Sequence, residues 1–525
     1  MHSRCLITLG AALTACMAER GPFTNRMAHS STDYLARAAR QPVNWQPWGR
    51  EAFSLAARLD RPVLLYVGSD VCRWCAEADR AIYSDPEIGA TINALFVPIR
   101  VDRDERPDVA LRYQAAVERL AGLHGWPLTV FLTADGAAFF GGTYFPADDP
   151  VTGRGLKQIL PEVARSYRDQ RAFIAQQAAM VRQLVLSGGG GESRGVLHTA
   201  LLRQEIAAVG RAVDQAARVK AVTGSVMHAG AVALLLAVAA RERDSLSLAV
   251  ARRTLDLMMD TAGANAGEDP PHLVRAAITG TLAKAWVVTG DERYRDLGRA
   301  LVRALARGLT ESPRDYPLFA DQEGYVIHTV MLAAATFGEI PEVRRAGSAL
   351  DALLQRTYAK GVGVRHAISG TGATQALLQD QVQVATACLV AHQLTDEARY
   401  LDVALDLAAI LERAYADSTG GYYSTALPSP LGGGGGTASA STSALAATPS
   451  TLPLADRTKH FLDDVLPGPN AAAARVLLHL AEVTGDATYR RRAQATLEAF
   501  AGSVSGAGIR ASTLLSVAWE SAGAP

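Results

Sequence analysis

The chain has 525 residues, of which 49% are hydrophobic and 20% charged. This is a globular composition in a chain too long for one ordinary core, so two or three domains are expected. Lys and Arg together number 52, as do Asp and Glu, and the formal net charge is zero. Without a basic excess to neutralise phosphates, a nucleic-acid partner is not expected.

The first 24 residues carry a candidate targeting signal. Arg4 precedes an apolar stretch, residues 5 to 13, that is too short to span a bilayer. The stretch ends in Leu13-Thr14-Ala15-Cys16, which is similar to the lipobox of bacterial lipoprotein signals, where Cys16 would be acylated. This interpretation favours a cell-envelope lipoprotein that meets the membrane only through its lipid anchor. The alternative is an over-extended start with Met27 as the true first residue, which leaves the protein in the cytoplasm.

Residues 25–186 are predicted to form an α/β domain. Four short apolar runs predict strands, at residues 62–67, 95–101, 128–132 and 137–140. Helical stretches follow the first two strands, and Ala134-Asp135-Gly136 is a hairpin turn signal between the last two. One long amphipathic helix, residues 156–186, is predicted to close the domain. The order of elements indicates a mixed sheet with helices packed on it.

The rest of the chain is predicted to be helical. Residues 187–195 are a glycine-rich linker, residues 196–525 form the second domain, and residues 428–451 are predicted to be a disordered insertion. One motif recurs between apolar helices: Thr289-Gly290-Asp291-Glu292-Arg293-Tyr294, Thr395-Asp396-Glu397-Ala398-Arg399-Tyr400 and Thr484-Gly485-Asp486-Ala487-Thr488-Tyr489. The repeats are about a hundred residues apart, so we expect two helical hairpins in each period and a closed α/α toroid.

Cys72 and Cys75 form a Cys-Arg-Trp-Cys motif directly after the first predicted strand. At a helix N-terminus, unpaired backbone N–H groups stabilise the Cys72 thiolate, and Arg73 adds positive charge. Cys75, one turn later, would be the resolving thiol. Zinc needs four ligands and no second Cys or His pair follows in this domain, so we expect neither a metal site nor a cofactor. Two buried thiols in a non-catalytic binding domain remain an alternative.

Trp126-Pro127 lies immediately before the third predicted strand. Thioredoxin-like folds hold a cis proline at that place beside the dithiol, and an X-Pro bond adopts the cis form at modest cost. His124 would help proton transfer if it lies near the dithiol, or is a plain loop histidine. Trp74 is predicted to shield the sulfurs or to form part of a substrate surface.

Five blocks, in the same order, resemble the spermatogenesis-associated thioredoxin-like protein family. They are Gln41-Pro42-Val43-Asn44-Trp45-Gln46-Pro47-Trp48-Gly49, Cys72-Arg73-Trp74-Cys75, residues 101–108, residues 125–132 and Gly141-Gly142-Thr143-Tyr144-Phe145-Pro146. The resemblance implies a thioredoxin-like domain followed by a six-hairpin helical toroid similar to that of sugar epimerases and glycosidases. Arg73 and Ala76 stand where the family has histidines, so any role of those histidines is absent from this chain.

Three functions compete. The first is a thiol–disulfide oxidoreductase that acts on a protein or small-molecule disulfide and is served by an unidentified electron donor. The second is a carbohydrate-active toroid, for which paired acids or a histidine with an acid would have to converge. Its candidates are Asp380, His460, Asp463 and Asp464, and its ligand would be a carbohydrate. The third is a non-catalytic binding scaffold.

Overall fold

The computed structural model describes residues 23–149, 151–152, 154–186, 194–219, 226–264, 272–310, 319–367, 376–427 and 457–522. Cys16 with nearly all of the signal segment, most of the linker and the insertion at 428–451 therefore lie outside the described residues. The chain separates into two compact units, with the boundary between Val185 and Leu186. Among the described helices, none combines the length and the apolar character needed to cross a lipid bilayer.

The first unit is built on a five-stranded sheet in the order β1-β3-β2-β4-β5. Strands β1, β3 and β2 are parallel, and β4 and β5 are antiparallel to their neighbours. The strands are Gln46–Pro47 (β1), Val63–Gly68 (β2), Val97–Asp102 (β3), Leu128–Leu132 (β4) and Ala138–Gly142 (β5). The four predicted strands are thus present, and the short edge strand β1 was not predicted.

The side chains of β2 belong alternately to two hydrophobic cores, because successive side chains of a strand point to opposite faces of the sheet. Leu64 and Tyr66 enter one hydrophobic cluster, and Val63, Leu65 and Val67 enter the other. Helices cover both faces. They are Asp33–Arg37 (α1), Arg50–Leu59 (α2), Arg73–Ala78 (α3), Pro86–Leu95 (α4), Pro107–Ala121 (α5), Leu156–Asp169 (α6) and Arg171–Leu186 (α7).

Two helical details differ from expectation. The single long helix predicted for residues 156–186 is two helices, because the backbone leaves the helical region at Gln170. Helix α3 continues through a π-helical turn, Asp79–Tyr83. This wider turn places Asp79, four residues after Cys75, where it reaches the buried Arg100 of β3.

In the described part of the second unit, twelve α-helices accompany a two-stranded hairpin of Tyr358–Ala359 (β6) and Gly363–Val364 (β7). They are Thr199–Arg218 (α8), Val226–Glu242 (α9), Ser245–Ala264 (α10), His272–Thr289 (α11), Glu292–Thr310 (α12), Ala320–Phe337 (α13), Ile340–Thr357 (α14), Leu378–Thr395 (α15), Ala398–Ile410 (α16), Pro469–Thr484 (α17), Ala487–Glu498 (α18) and Ser512–Ser521 (α19).

Alternate helices form a closed inner ring. Helix α9 packs on α11, α11 on α13, α13 on α15, α15 on α17, α17 on α19, and α19 returns to α9. The intervening helices α8, α10, α12, α14, α16 and α18 pack against them from outside. The unit is therefore an α/α toroid of six hairpins, and the predicted fold class is confirmed.

The turns predicted from three sequence motifs are three of five similar turns among the described residues. Each of the inner helices α9 to α17 is joined to the next outer helix by two residues, the first with a left-handed backbone: Arg243, Gly290, Gly338, Asp396 and Gly485. The second residue is always acidic: Asp244, Asp291, Glu339, Glu397 and Asp486. Three of these carboxylates accept backbone N–H bonds from the next helix. The second and third predicted motifs belong to consecutive hairpins, α15–α16 and α17–α18, so this period contains one hairpin and not the expected two. The period still spans about ninety residues because the connection from α16 to α17 is long.

Gly324 allows α13 and α15 to approach closely. A Cβ at this position would lie 3.0 Å from the carbonyl carbon of Gln383, whereas one at Gly347, also inside a helix, would have nothing within 4 Å. We predict that Gly347→Ala raises the free energy of unfolding by about 0.5–1 kcal/mol through helix propensity. Gly324→Ala should lower it by about 1–3 kcal/mol through the backbone clash. Calorimetric unfolding of the full chain measures both, and stabilisation by both variants would contradict the close approach.

Candidate functional site

The two cysteines of the motif occupy unequal positions. Cys72 is the N-cap residue of α3, and its Sγ accepts the backbone N–H of Cys75 at 3.2 Å. The two sulfurs form a disulfide, with 5.1 Å between the Cα atoms. Cys72 is partly exposed, whereas Cys75 is fully buried. A substrate can therefore reach the sulfur of Cys72, and Cys75 is accessible only from within the protein.

The predicted proline lies at the same edge of the sheet. Strands β2 and β4 pair in a register that sets Val67 opposite Leu128. Pro127 therefore precedes β4 at the end of β2 from which the chain runs to Cys72. The Trp126–Pro127 peptide is cis. Arg103 covers the Trp126 ring, with 5.5 Å between the guanidinium carbon and the ring centroid.

Exposed apolar side chains flank Cys72 in the sequence. Trp74 is 58% exposed and packs on Tyr144 with 5.0 Å between ring centroids. Val71 and Leu123 are also exposed. Trp74 thus contributes to an open surface. His124 is exposed in the loop before Trp126.

A polar layer that was not predicted from the sequence lies on the same face of the sheet as the buried cysteine. Arg100 is 1% exposed and makes two hydrogen bonds of 2.7 Å to the Asp79 carboxylate. Its guanidinium lies over the rings of Tyr34 and Tyr66, at 4.4 and 5.0 Å. The Tyr66 hydroxyl reaches the backbone carbonyl of Cys75 at 3.4 Å. Arg100, inside the otherwise apolar run of residues 95–101, was the one available signal in the sequence.

Asp102 ends β3 directly beside this layer. It pairs in register with Gly68, where an added Cβ would overlap the Tyr34 hydroxyl and lie 3.2 Å from Sγ of Cys75. Burial, and then the neighbouring charge of Asp104, raise the pKa of Asp102 to about 7. A carboxyl group close to the buried sulfur therefore changes protonation near neutral pH.

The four residues predicted for toroid chemistry make separate sets of contacts. Asp380 binds His366, with 2.8 Å between Oδ1 and Nδ1. Asp463 accepts the backbone N–H groups of Gly468 and Thr513 at 2.8 and 2.9 Å. The His460 ring meets Thr458 Oγ1 at 2.9 Å. The backbone N–H of Asp464 donates to the Leu466 carbonyl.

Asp321, His366 and Asp380 form one buried cluster whose ligand atoms lie within 4.8 Å of one another. Such a group has the spacing of a metal site. However, Asp380 accepts the backbone N–H groups of Asp321 and Leu377, both at 3.2 Å. These groups belong to the N-termini of α13 and α15, whose dipoles favour an anion and oppose a cation. The cluster is better explained as an anchor for two helix starts than as a metal centre.

Fold and cysteine geometry together define the first unit as a thioredoxin-like domain with a Cys-x-x-Cys pair. Residues 24–185 match the family model described as Thioredox_DsbH, protein of unknown function, DUF255. The match confirms for these residues the resemblance predicted from the five sequence blocks.

Curated relatives agree with this match. Spermatogenesis-associated protein 20 of Homo sapiens is 35% identical over 163 residues, which are 31% of this chain and 21% of the relative. Uncharacterized protein B0495.5 of Caenorhabditis elegans is 36% identical over 163 residues, 31% of this chain and 22% of the relative. The chain thus spans about a fifth of the length of these relatives. A crystal structure of an unsaturated glucuronyl hydrolase specific for heparin aligns with this chain at 14% identity and a TM-score of 0.42. The alignment covers 58% of this chain and 85% of the hydrolase chain.

The raised pKa of Asp102 predicts that the stability of the folded protein falls as the pH rises from acid to neutral. Since its pKa in the folded state lies near 7 and above the ordinary value of 3.8, the folded protein loses stability as the pH rises between these values. Asp102→Asn keeps the acceptor for the Asp104 N–H but carries no charge. It should raise the free energy of unfolding at pH 8 by about 2–4 kcal/mol and have little effect at pH 4.

Urea unfolding at the two pH values measures this effect. Asp169→Asn, at an exposed site of the same unit, is the control and should change little at either pH. Equal effects of Asp102→Asn at pH 4 and pH 8 would contradict the raised pKa.

Proposed function

We propose that the protein is a thiol–disulfide oxidoreductase that uses Cys72 as nucleophile and Cys75 as resolving thiol. The observation that carries the proposal is the unequal exposure of the two cysteines at the start of α3. Cys72 is partly exposed, whereas Cys75 is fully buried. Pro127, which precedes β4 at the same sheet edge, adds support.

The reaction proceeds in two exchange steps. The Cys72 thiolate attacks one sulfur of a substrate disulfide, forms a mixed disulfide and releases the other substrate sulfur as a thiolate. The Cys75 thiolate then attacks Sγ of Cys72 and releases the second substrate thiol. The substrate gains two electrons and two protons, and the protein dithiol is oxidised to the disulfide. A dithiol donor has to reduce the protein for another cycle.

The polar layer supplies what the second step requires. Cys75 is buried, and burial opposes formation of a thiolate. Asp102 is placed to accept the proton, since its pKa near 7 allows it to be a carboxylate in part of the molecules at neutral pH. The buried Arg100 contributes positive charge on the same face, although much of it is balanced by Asp79.

The exposed rim favours a protein disulfide as substrate. Val71, Trp74 and Leu123 present apolar surface near the accessible sulfur. A small disulfide such as glutathione would bury little of this surface, whereas a polypeptide segment would cover it.

Trapping of mixed disulfides tests which cysteine is the nucleophile and which is the resolving thiol. In a full-length background in which Cys5, Cys16 and Cys388 are serine, Cys75→Ser should accumulate a mixed disulfide with a protein disulfide such as insulin. Cys72→Ser should accumulate at least about tenfold less, because its remaining thiol is buried. Non-reducing electrophoresis with mass spectrometry measures the adducts. Equal trapping by both variants, or by neither, would contradict the assigned roles.

A redox titration tests the activity as a whole. The full-length chain in the same background, equilibrated in graded thiol buffers, should show one reversible two-electron transition between about −270 and −120 mV, the range spanned by thioredoxin and DsbA. Cys72→Ser is the control and should show none. Thiols that never pair, or a disulfide no thiol buffer reduces, would overturn the oxidoreductase and leave the binding scaffold as the better explanation.

A further inference from the structure

The Tyr34 hydroxyl is a buried polar group that makes no hydrogen bond within the part of the chain that the structure describes. Tyr34 lies on α1 and is 3% exposed, inside the hydrophobic cluster that also holds Tyr66. The Tyr66 hydroxyl is close enough to affect the pKa of Tyr34, but it donates to the backbone carbonyl of Cys75 at 3.4 Å. A buried hydroxyl without a partner is costly and calls for an explanation.

The space beside Gly68 shows what this hydroxyl faces. The point at which a Cβ of residue 68 would stand lies within 3.2 Å of both the Tyr34 hydroxyl oxygen and Sγ of Cys75. The hydroxyl and the buried sulfur therefore border one small space at the end of β2. This space is kept open because residue 68 has no side chain.

Contacts on two sides hold the Tyr34 ring beside the dithiol. On one side, the guanidinium carbon of Arg100 lies 4.4 Å from the ring centroid. On the other, Arg37, one turn further along α1, pairs with Asp70 in the loop before α3. Helix α1 is thus linked both to the sheet and to the segment that carries the cysteines, so the hydroxyl stays near the buried sulfur.

The redox state of Cys75 decides whether the Tyr34 hydroxyl has a good acceptor. In the disulfide, Sγ of Cys75 carries no charge and is a weak acceptor. In the mixed disulfide between Cys72 and a substrate, the same sulfur is free and has to become a thiolate before it attacks. A buried thiolate is a strong acceptor for a charge-assisted hydrogen bond. The unpaired hydroxyl is explained if its partner forms only when the disulfide opens.

The groups that face Tyr34 leave it a hydrogen-bond donor. Burial raises the pKa of Tyr34 well above its ordinary value; the charge of Arg100 opposes this change, and Asp79 and Asp102 add to it. Tyr34 therefore keeps its proton at physiological pH. It can donate in a hydrogen bond, whereas the proton that Cys75 loses has to go to another group.

We propose that the Tyr34 hydroxyl donates a hydrogen bond to the Cys75 thiolate and so promotes the second exchange step, in which this thiolate attacks Sγ of Cys72. No bond of Tyr34 breaks, and the proton of the Cys75 thiol goes to Asp102. This role of Tyr34 rests on the proposed oxidoreductase reaction and adds to it a residue from outside the Cys-x-x-Cys motif.

Titration of Cys75 measures the hydrogen bond directly. When every other cysteine of the full-length chain is replaced by serine, ¹³Cβ-labelled cysteine gives one NMR signal, whose shift with pH reports the thiolate. Tyr34→Phe keeps the ring and its contact with Arg100, so the fold is expected to be retained. It should lower the thiolate fraction at a given pH about tenfold, through the loss of one charge-assisted hydrogen bond.

Tyr83→Phe is the matched control for this titration. Tyr83 is also fully buried and its ring packs on Tyr66, but its hydroxyl is hydrogen-bonded to Thr129 at 3.2 Å. Its removal should leave the thiolate fraction of Cys75 unchanged. A Tyr34→Phe variant that titrates like the parent protein, or an equal effect of the two substitutions, would overturn the proposal.

The rate of the second exchange step provides an independent measurement. In a chain that retains only Cys72 and Cys75, dithiobis(nitrobenzoate) forms a mixed disulfide on Cys72 and releases one thionitrobenzoate. Attack by Cys75 then releases the second. Tyr34→Phe should slow the second release about threefold and leave the first unchanged, because a tenfold loss of thiolate is partly offset by the higher nucleophilicity of a more basic thiolate.

The outcomes separate this role of Tyr34 from the oxidoreductase reaction itself. If the parent protein never releases the second thionitrobenzoate, both proposals are overturned. If it does so, and Tyr34→Phe releases the second group equally fast or slows both releases alike, only the role of Tyr34 is overturned.

Discussion

Closure of the inner ring is the constraint on which the second unit depends. Helix α19 must return to α9, so each hairpin has to turn through a similar angle. Five two-residue turns meet this requirement with a left-handed first residue and an acidic second residue. Since consecutive helices are antiparallel, the inner helices all run the same way. The ring therefore encloses a lumen lined by one face of each inner helix, and it gathers the inner helix N-termini at one end.

In the first unit, the buried Arg100–Asp79 pair has a comparable role. Asp79 lies four residues after Cys75, in the π-helical turn that continues α3, and Arg100 lies on strand β3 of the sheet. The two 2.7 Å hydrogen bonds thus tie the helix that carries the dithiol to the sheet. Removal of one partner would leave a buried charge uncompensated, which typically costs about 3–5 kcal/mol. The segment that carries the dithiol is consequently positioned by an ion pair.

Much of the fold could be predicted from the sequence. Buried strands occur in it as short apolar runs, and the cysteine pair follows one of these runs directly. The complete set of two-residue turns was harder to predict from the sequence. Three copies have Thr before the turn and Tyr after it, whereas the turns at Arg243 and Gly338 lack both. Their common features are a left-handed conformation, which Arg243 adopts without being glycine, and an acidic second residue. The polar layer depends on side chains far apart in sequence, and no local pattern brings Arg100 to Asp79.

The acids singled out from the sequence illustrate a more general difficulty in locating chemistry inside such a toroid. The N-termini of inner helices carry unpaired N–H groups and the positive ends of helix dipoles, so buried carboxylates are expected there as structural partners. Asp380 and Asp463 both fit this description, with each carboxylate oxygen occupied by backbone donors or His366. An acid at a helix start is therefore weak evidence of catalysis. A charge in the middle of an inner helix has no backbone donor or acceptor to satisfy it, because the helix uses its own.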